Sequence, residues 1–330
     1  MSPHLFIAAS YEESYGYGQF TNTIIRHLLS EGIKVSLYPM FGHAPPVDLM
    51  PYIIKKPVKN FDVMFTSISN KPSDIDAKIL MTMSETIDLP WEYGHALKHH
   101  KHLIVPSEYS RTAAAKWHNS IHLCPLGTTM AYKPPSFHPF TFTAVAQDHQ
   151  CPERKRIQEL VDTFSATFPI EHDVRLQLKR STNCRPIVTF DRRIEVVTAR
   201  LSRTDYDELI AKATIGVQPS LMEGWSLPVN EFMAVGRPVI TAMAGAVGDY
   251  LTPRAAFIVD YKLTKTPKSV YLEHGKIPYA DMAQIGQQMR FAYENPFEVI
   301  RRGVAAHEAS AKYTNHTMGQ RFLKLCRTLI

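Results

Sequence analysis

Along this chain short apolar runs alternate with amphipathic stretches almost from end to end. That alternation is the pattern of parallel β-strands joined by crossover helices. In the first half, strands are expected at Leu5–Ala9, Lys34–Tyr38, Asp62–Thr66, Lys78–Met81, Leu103–Pro106 and Ile121–Cys124. Helices are expected between them at about Gln19–Ser30, Trp91–His99 and Ser110–His118. The second half repeats the theme, with strands near Phe140–Ala146, Asp173–Lys179, Arg193–Val197, Ile215–Gln218, Val239–Thr241 and Phe257–Val259. Its helices fall near Glu153–Thr167, Asp205–Ala211, Leu227–Val235 and Tyr279–Glu294. Two doubly wound α/β units are the simplest account. A chain of 330 residues is too long for one ordinary core and fits two domains.

The junction is expected in Met130–Pro139, where three prolines in six residues (Pro134, Pro135, Pro139) preclude a helix and favour an extended connector. Domains are therefore drawn at 1–135 and 136–308, with an amphipathic terminal helix in 309–330 that carries Met318, Phe322, Leu323, Leu325 and Cys326. A charged fraction of 21% and an apolar fraction of 45% are those of a soluble globular protein. No run approaches the ~20 apolar residues of a membrane span, and the N-terminus lacks the basic start of a signal peptide. Four scattered cysteines argue against a zinc knuckle or disulfide framework and suit a reduced, cytoplasmic protein. The net charge of +6 is compatible with nucleic acid, an anionic membrane face or a phosphorylated substrate, and selects none of them.

The chemistry concentrates in one strand–turn–helix. An apolar strand ends at Gln218-Pro219, the chain turns through Ser220 to Gly224, and Ser226-Leu227-Pro228-Val229 opens a helix that stops at Gly236. Ser226 is a favoured N-cap, and proline costs little in a first helical turn. The helix N-terminus then faces the carboxyl edge of a parallel sheet, where the amide of Leu227 and its neighbours would suit a diphosphate. Glu223 and Glu231 bracket this place. Carboxylates repel phosphate but accept from hydroxyls, so the combination fits a nucleotide-sugar better than a bare nucleotide.

The segment Glu223-Gly-Trp-Ser-Leu-Pro-Val-Asn-Glu231-Phe-Met-Ala-Val-Gly-Arg-Pro-Val-Ile240 resembles the Glu-seven-residues-Glu motif of the retaining GT-B glycosyltransferases of family 4, glycosyl transferases group 1. The usual family form is Glu-Gly-Phe-Gly-Leu-Pro-x-x-Glu-Ala-Met-Ala-x-Gly-x-Pro-Val-Ile. The likeness extends to Gly16-Tyr-Gly18, similar to the family's glycine loop, and to Leu103–Arg111 and Leu123–Thr128. It implies the GT-B fold, two Rossmann-like domains facing a central cleft, with the C-terminal helix crossing back to the N-domain. It implies no metal and no essential cofactor, with a UDP- or GDP-sugar as substrate. Lys155 matches a family lysine that reaches the donor phosphates. The matching arginine is replaced by about Gln147, and Arg154 could substitute for it, or the Arg154–Arg156 triplet is a solvated charge run. In Ala242–Leu251 the amides of Gly245 and Ala246 would lie near the sugar or diphosphate.

Two further features are open to two readings each. Ser84-Glu85 stands where many relatives carry an active-site histidine, so Glu85 either serves the acceptor and the anomeric carbon or caps a helix. The run His95–His102 is either a solvated basic helix end or a face toward an anionic acceptor. By the resemblance, catalysis rests on Glu223, Glu85 and Lys155, and donor binding on Glu231, Ser226, Leu227, Arg154, Gln147, Gly18, Gly245 and Ala246. The reaction would retain anomeric configuration through positioning and electrostatics. The acceptor is expected to be a glycan, a lipid-linked sugar or a hydroxylated base in DNA. Rival readings are an epimerase or phosphorylase of the same fold and a non-catalytic nucleotide-sugar or nucleic-acid binder.

Overall fold

The computed structural model describes residues 4–12, 16–42, 45–67, 75–148, 152–220, 222–266 and 276–330. The chain divides into two compact units, Met1–Gly127 with Tyr313–Ile330, and Thr128–Lys312. Each unit carries a six-stranded, wholly parallel sheet. The expected α/β class with two Rossmann-like units is the one found.

In the first unit the strands are β1 (His4–Ala9), β2 (Lys34–Pro39), β3 (Phe61–Phe65), β4 (Ala77–Met81), β5 (His102–Val105) and β6 (Ile121–Leu123). They lie in the order β2-β1-β3-β4-β5-β6. Central strands covered on both faces read as continuous apolar runs, and Leu5, Ile7, Ala8 and Ala9 of β1 are all buried. Helices α1 (Gly16–Ser30), α2 (Trp91–Leu97) and α3 (Glu108–Ala115) connect β1 to β2, β4 to β5 and β5 to β6. Gly16 to Gly18, expected as a loop, form the first turn of α1. Gly18 has a packing reason to be glycine, since a Cβ there would lie 2.0 Å from the Glu12 carbonyl oxygen. The terminal helix Asn315–Leu329 belongs to this unit. It buries Met318, Phe322, Leu323 and Cys326, sets Phe322 against Phe65 at 5.3 Å between ring centroids, and presents Gly319 to the His27 ring.

The second unit holds β7 (Phe140–Val145), β8 (Val174–Lys179), β9 (Ile194–Val197), β10 (Ile215–Gln218), β11 (Val239–Ala242) and β12 (Ala256–Val259), in the order β12-β11-β10-β7-β8-β9. The chain runs outward from β7 to β9, then returns to β10 and runs outward the other way. The β7–β10 junction is therefore the topological switch point, where the carboxyl ends of open α/β sheets bind ligands. Helices α4 (Pro152–Lys155), α5 (Ile157–Thr167), α6 (Arg203–Lys212), α7 (Leu227–Ala234), α8 (Met282–Glu294) and α9 (Pro296–Ser310) surround this sheet. Phe142, Phe164 and Phe168 form the aromatic centre of the core, with Phe142 5.6 Å from Phe168.

Three elements differ from expectation. The helix expected over Glu153–Thr167 is broken at Arg156, whose φ of 52° is left-handed. Its guanidinium explains the break: it bonds both oxygens of Glu159 (2.9 and 2.6 Å), the Ala280 carbonyl (2.6 Å), and lies 3.8 Å over the Tyr279 ring. Tyr279, expected to start a helix, sits instead in β14 (Lys276–Ala280), antiparallel to β13 (Tyr261–Lys265). The helix starts later because the Asp281 carboxylate accepts from the amides of Ala283 and Gln284. Helix α9 was not anticipated; it opens at Pro296, where a missing N–H costs little. Among the described residues no helix is long and apolar enough to cross a membrane.

Candidate functional site

Strand β10 delivers Gln218 to the carboxyl edge of the sheet at the switch point. Gln218 is 5% exposed, and its side-chain amide donates to Glu223 Oε1 (3.0 Å) and to the Ser226 hydroxyl (3.1 Å). One residue thus ties the strand end, the loop and the helix start together. Ser226 occupies the N-cap position of α7, yet its hydroxyl caps no amide, because its backbone is left-handed (φ 71°) and turns the side chain toward Gln218. The expected serine cap is corrected accordingly. Leu227 opens α7 as expected.

The loop is locked from the other side. Tyr250 donates from its hydroxyl to the carbonyls of Trp225 (2.8 Å) and Ser226 (3.2 Å), and its ring lies 4.7 Å from that of buried Trp225. The Ala246 amide donates to the Glu223 carbonyl (3.1 Å). This amide, expected to face the sugar or diphosphate, is engaged by the loop that carries Glu223. Gly245 is left-handed (φ 61°), and a Cβ there would stand 3.0 Å from the same carbonyl oxygen. Glycine is required at that turn for both reasons.

Lys155, the last residue of α4, points its ammonium at Glu223 Oε1, 2.5 Å away, and both side chains are about nine-tenths buried. Arg154 beside it donates to the Met222 carbonyl (3.0 Å). Burial pushes the Glu223 carboxyl up, but the charges of Lys155 and Arg154 and the bonds from Lys155 and Ser220 outweigh it and hold it below the ordinary range. The triplet of cations is therefore no solvated charge run: Arg154 and Lys155 wrap the Glu223 loop, and Arg156 is fully committed elsewhere. Gln147 lies half-buried at the end of β7, next to Asp148, which is buried in an ion pair with Arg180.

Glu231, one turn into α7, is only 3% exposed. Its Oε1 accepts from Arg203 Nη1 (3.1 Å) and its Oε2 from the Tyr206 hydroxyl (2.7 Å), both on α6. Burial raises the carboxyl above its ordinary value, against the charge of Arg203 and the bonds from Tyr206 and Arg203.

These two carboxylates give opposite pH signatures. Glu223, depressed in the fold, contributes stability that is present above an unfolded pKa of about 4.3 and lost as pH falls through its folded value. Glu231, raised in the fold, contributes stability present below that unfolded value and lost as pH rises through its folded one. Thermal melts from about pH 4 to about pH 8 are expected to show Glu223→Gln falling further behind wild type as pH rises. Glu231→Gln should move the other way, gaining on wild type as pH rises.

Gly18 and Glu85 lie in the first unit. Glu85 sits in the loop after β4, which is held by the Ser110 hydroxyl on the Ser84 amide (3.1 Å) and by the Tyr17 hydroxyl on the Met83 amide (3.1 Å). It does not cap a helix, since the N-cap of α2 is Pro90. In the histidine run, His95, Lys98, His99 and Lys101 are exposed, whereas His100 is buried against the Ala77 carbonyl (2.8 Å) and half-buried His102 bonds Ser120 (2.7 Å). Among the described residues no group of three or more His, Cys, Asp or Glu could hold a metal. Sequence reasoning missed Gln218, Arg203, Tyr206 and Tyr250. Only Gln218 carried a local signal, as the last strand residue before the Pro219 turn.

Residues 143–265 match the family described as Glycosyl transferases group 1. A stretch of 96 residues, 27% of this chain, is 34% identical to the MMP alpha-(1->4)-mannosyltransferase of Mycolicibacterium hassiacum, and spans 23% of that relative's length. Among solved structures, the sucrose-phosphate synthase of Thermosynechococcus elongatus superposes with a TM-score of 0.72, 13% identity and coverage of 100% of this chain and 99% of its own. WaaG, a glycosyltransferase involved in lipopolysaccharide biosynthesis, superposes with a TM-score of 0.67, 13% identity and coverage of 98% and 99%. At these identities the structural likeness speaks to the fold.

Proposed function

We propose that this protein transfers a sugar from a nucleoside-diphosphate sugar to an acceptor hydroxyl, with retention of anomeric configuration. The observation that carries the reading is the buried Lys155–Glu223 pair at the switch point of the second sheet. A cation held at the carboxyl edge neutralises the charge that develops on a leaving diphosphate, the largest electrostatic demand of the reaction. Lys155 has that role, with Arg154 beside it and Gln147 at the neighbouring strand end. Glu223, kept ionised by Lys155, accepts from sugar hydroxyls. Glu231 accepts from the ribose, Ser226 and Leu227 bring the start of α7 to the diphosphate, and Gly245 shapes the turn beneath the sugar. Glu85 and the Gly18 region serve the acceptor side.

The acceptor hydroxyl attacks from the face the diphosphate leaves, through an oxocarbenium-like state, so the protein's contribution is orientation and charge rather than a covalent nucleophile. The relatives' names, a mannosyltransferase and a lipopolysaccharide glycosyltransferase, put the weight on a glycan or lipid-linked sugar as acceptor. The test is a panel of UDP- and GDP-sugars with oligosaccharide and lipid-linked acceptors, with products read by NMR. An α-linked product from an α-donor is expected. A β-linked product would overturn retention, and an epimerised or phosphorolysed sugar without transfer would overturn the reaction class.

A further inference from the structure

The chain between β2 and β3 holds large apolar side chains out in solvent. Phe41 is 51% exposed, Val47 88% and Met50 52%. Phe41 does so on a left-handed backbone (φ 61°, ψ 17°), a conformation that bulky residues rarely adopt. Val47 and Met50 stand on a short 3₁₀ helix, Val47–Tyr52, whose inner side is fastened down. Leu49 between them is fully buried, and Asp48 accepts two bonds from the Arg26 guanidinium of α1 (2.7 and 3.0 Å). Directly after the helix, Ile53 bridges to Leu37 of β2, the edge strand of the first sheet, and the Ile54 amide donates to the Leu37 carbonyl (2.9 Å). The exposure of Val47 and Met50 is therefore built into an anchored segment.

The same stretch is positively charged. Asp48 is the single acid between Met40 and Asn60, and Arg26 neutralises it. Ile54 and Val58 pack on the core cluster that contains Met40, Phe61 and Met64, while Lys55, Lys56 and Lys59 around them are exposed. Apolar surface rimmed by polar groups marks a docking site, and here the rim decides the occupant. Interfaces between proteins favour arginine and are depleted in lysine. A lipid interface suits lysine, whose alkyl stem lies along apolar surface while its ammonium stays at the headgroups. Each such ammonium adds attraction to an anionic leaflet without needing a partner of fixed geometry. A patch carried on one short helix and its flanks lies on a bilayer and does not cross it.

We infer that Phe41, Val47 and Met50, with Lys55, Lys56 and Lys59 beside them, form a docking surface for a bilayer of anionic phospholipid. The apolar side chains enter the boundary between headgroups and acyl chains, and the lysines stay among the headgroups. All six residues lie in the first unit, so the docking surface is independent of the donor-site reading.

The test is flotation of the full chain with vesicles of phosphatidylcholine alone and of phosphatidylcholine with phosphatidylglycerol in equal parts. Wild type is expected to bind the anionic vesicles at least about tenfold tighter, the order set by three lysines near a charged leaflet. Added salt should weaken that binding by screening. Val47→Asp with Met50→Asp should release the protein from both kinds of vesicle. Lys55→Gln with Lys56→Gln and Lys59→Gln should remove the preference for the anionic one. Every substituted side chain is exposed, so both variants should melt as wild type does. Val47→Trp reports insertion directly, since its emission should move to the blue on anionic vesicles. Absence of vesicle binding by wild type, or undiminished binding by both multiple variants, overturns the inference. Binding with an unshifted Val47→Trp emission overturns it as well, because the apolar side chains would then stay in water. If wild type binds no vesicle but self-associates, and the same variants abolish that, the patch docks a second copy and the lipid assignment falls.

Discussion

Lys155→Met is expected to lower the transfer rate by about 10²–10³-fold, the cost of losing one pre-positioned charge on the leaving group. It should also destabilise the protein by about 3–5 kcal/mol, because Glu223 would keep a buried charge with its hydrogen-bonded ion-pair partner gone. The two losses have different causes, and a second substitution separates them. Glu223→Gln added to Lys155→Met removes the stranded charge, so most of the stability should return. Activity should not, because both the cation and the charged acceptor for sugar hydroxyls are then gone. Urea unfolding and initial rates on the two single variants and the double variant close the cycle. Recovery of activity in the double variant would contradict the roles assigned to both residues.

The largest expected effect on stability alone belongs to Arg237. Its side chain is fully buried, and its guanidinium donates to five carbonyls: Ala213 (2.5 Å), Lys133 (2.5 Å), Val235 (2.9 Å), Pro134 (3.3 Å) and Ala211 (2.6 Å). Among the described residues no carboxylate pairs with it, and burial lowers its pKa to about 10. The chain before β7, the end of α6 and the end of α7 all converge on this one group. Arg237→Met fills the volume but strands several buried carbonyls, at about 1–3 kcal/mol each where no water reaches. A total loss above about 4 kcal/mol follows, in the exceptional range for one substitution. For a unit of this size the melting temperature should fall by about 8–16 °C. Arg301→Met is the control: its partner Glu298 is also on the surface, and its loss should leave the melting temperature close to that of wild type.

How much of this could be read from the sequence follows the range of the interactions. The strands were legible to within about a residue because parallel strands covered on both faces must be apolar runs, as β1 and β10 are. The Glu223–Glu231 segment was legible because the strand, turn and helix are contiguous and each has a local chemical signature. The hairpin β13–β14 was not, since its pairing rests on a cross-strand register that Tyr279 alone does not announce. Arg156 looked like one more cation in a triplet; besides Glu159 nearby, its partners Tyr279 and the Ala280 carbonyl lie 123 and 124 residues away. Arg203 and Tyr206 reach Glu231 from 28 and 25 residues earlier, and nothing local to α6 marks them. Ser226 shows the opposite failure. Its residue type fits a cap, but the left-handed backbone demanded by the loop sends its hydroxyl elsewhere.

The central claim, that the Glu223–Glu231 segment takes a nucleoside-diphosphate sugar, is tested most directly by thermal shift with a panel of UDP- and GDP-sugars. Ligand at a hundredfold excess over its Kd stabilises by about 2.7 kcal/mol, a rise of several degrees for a protein of this size. At least one donor should produce that rise in wild type. The same donor should leave the Lys155→Met/Glu223→Gln variant, measured against its own baseline, unshifted. No shift with any donor, or an equal shift in that variant, would contradict the claim.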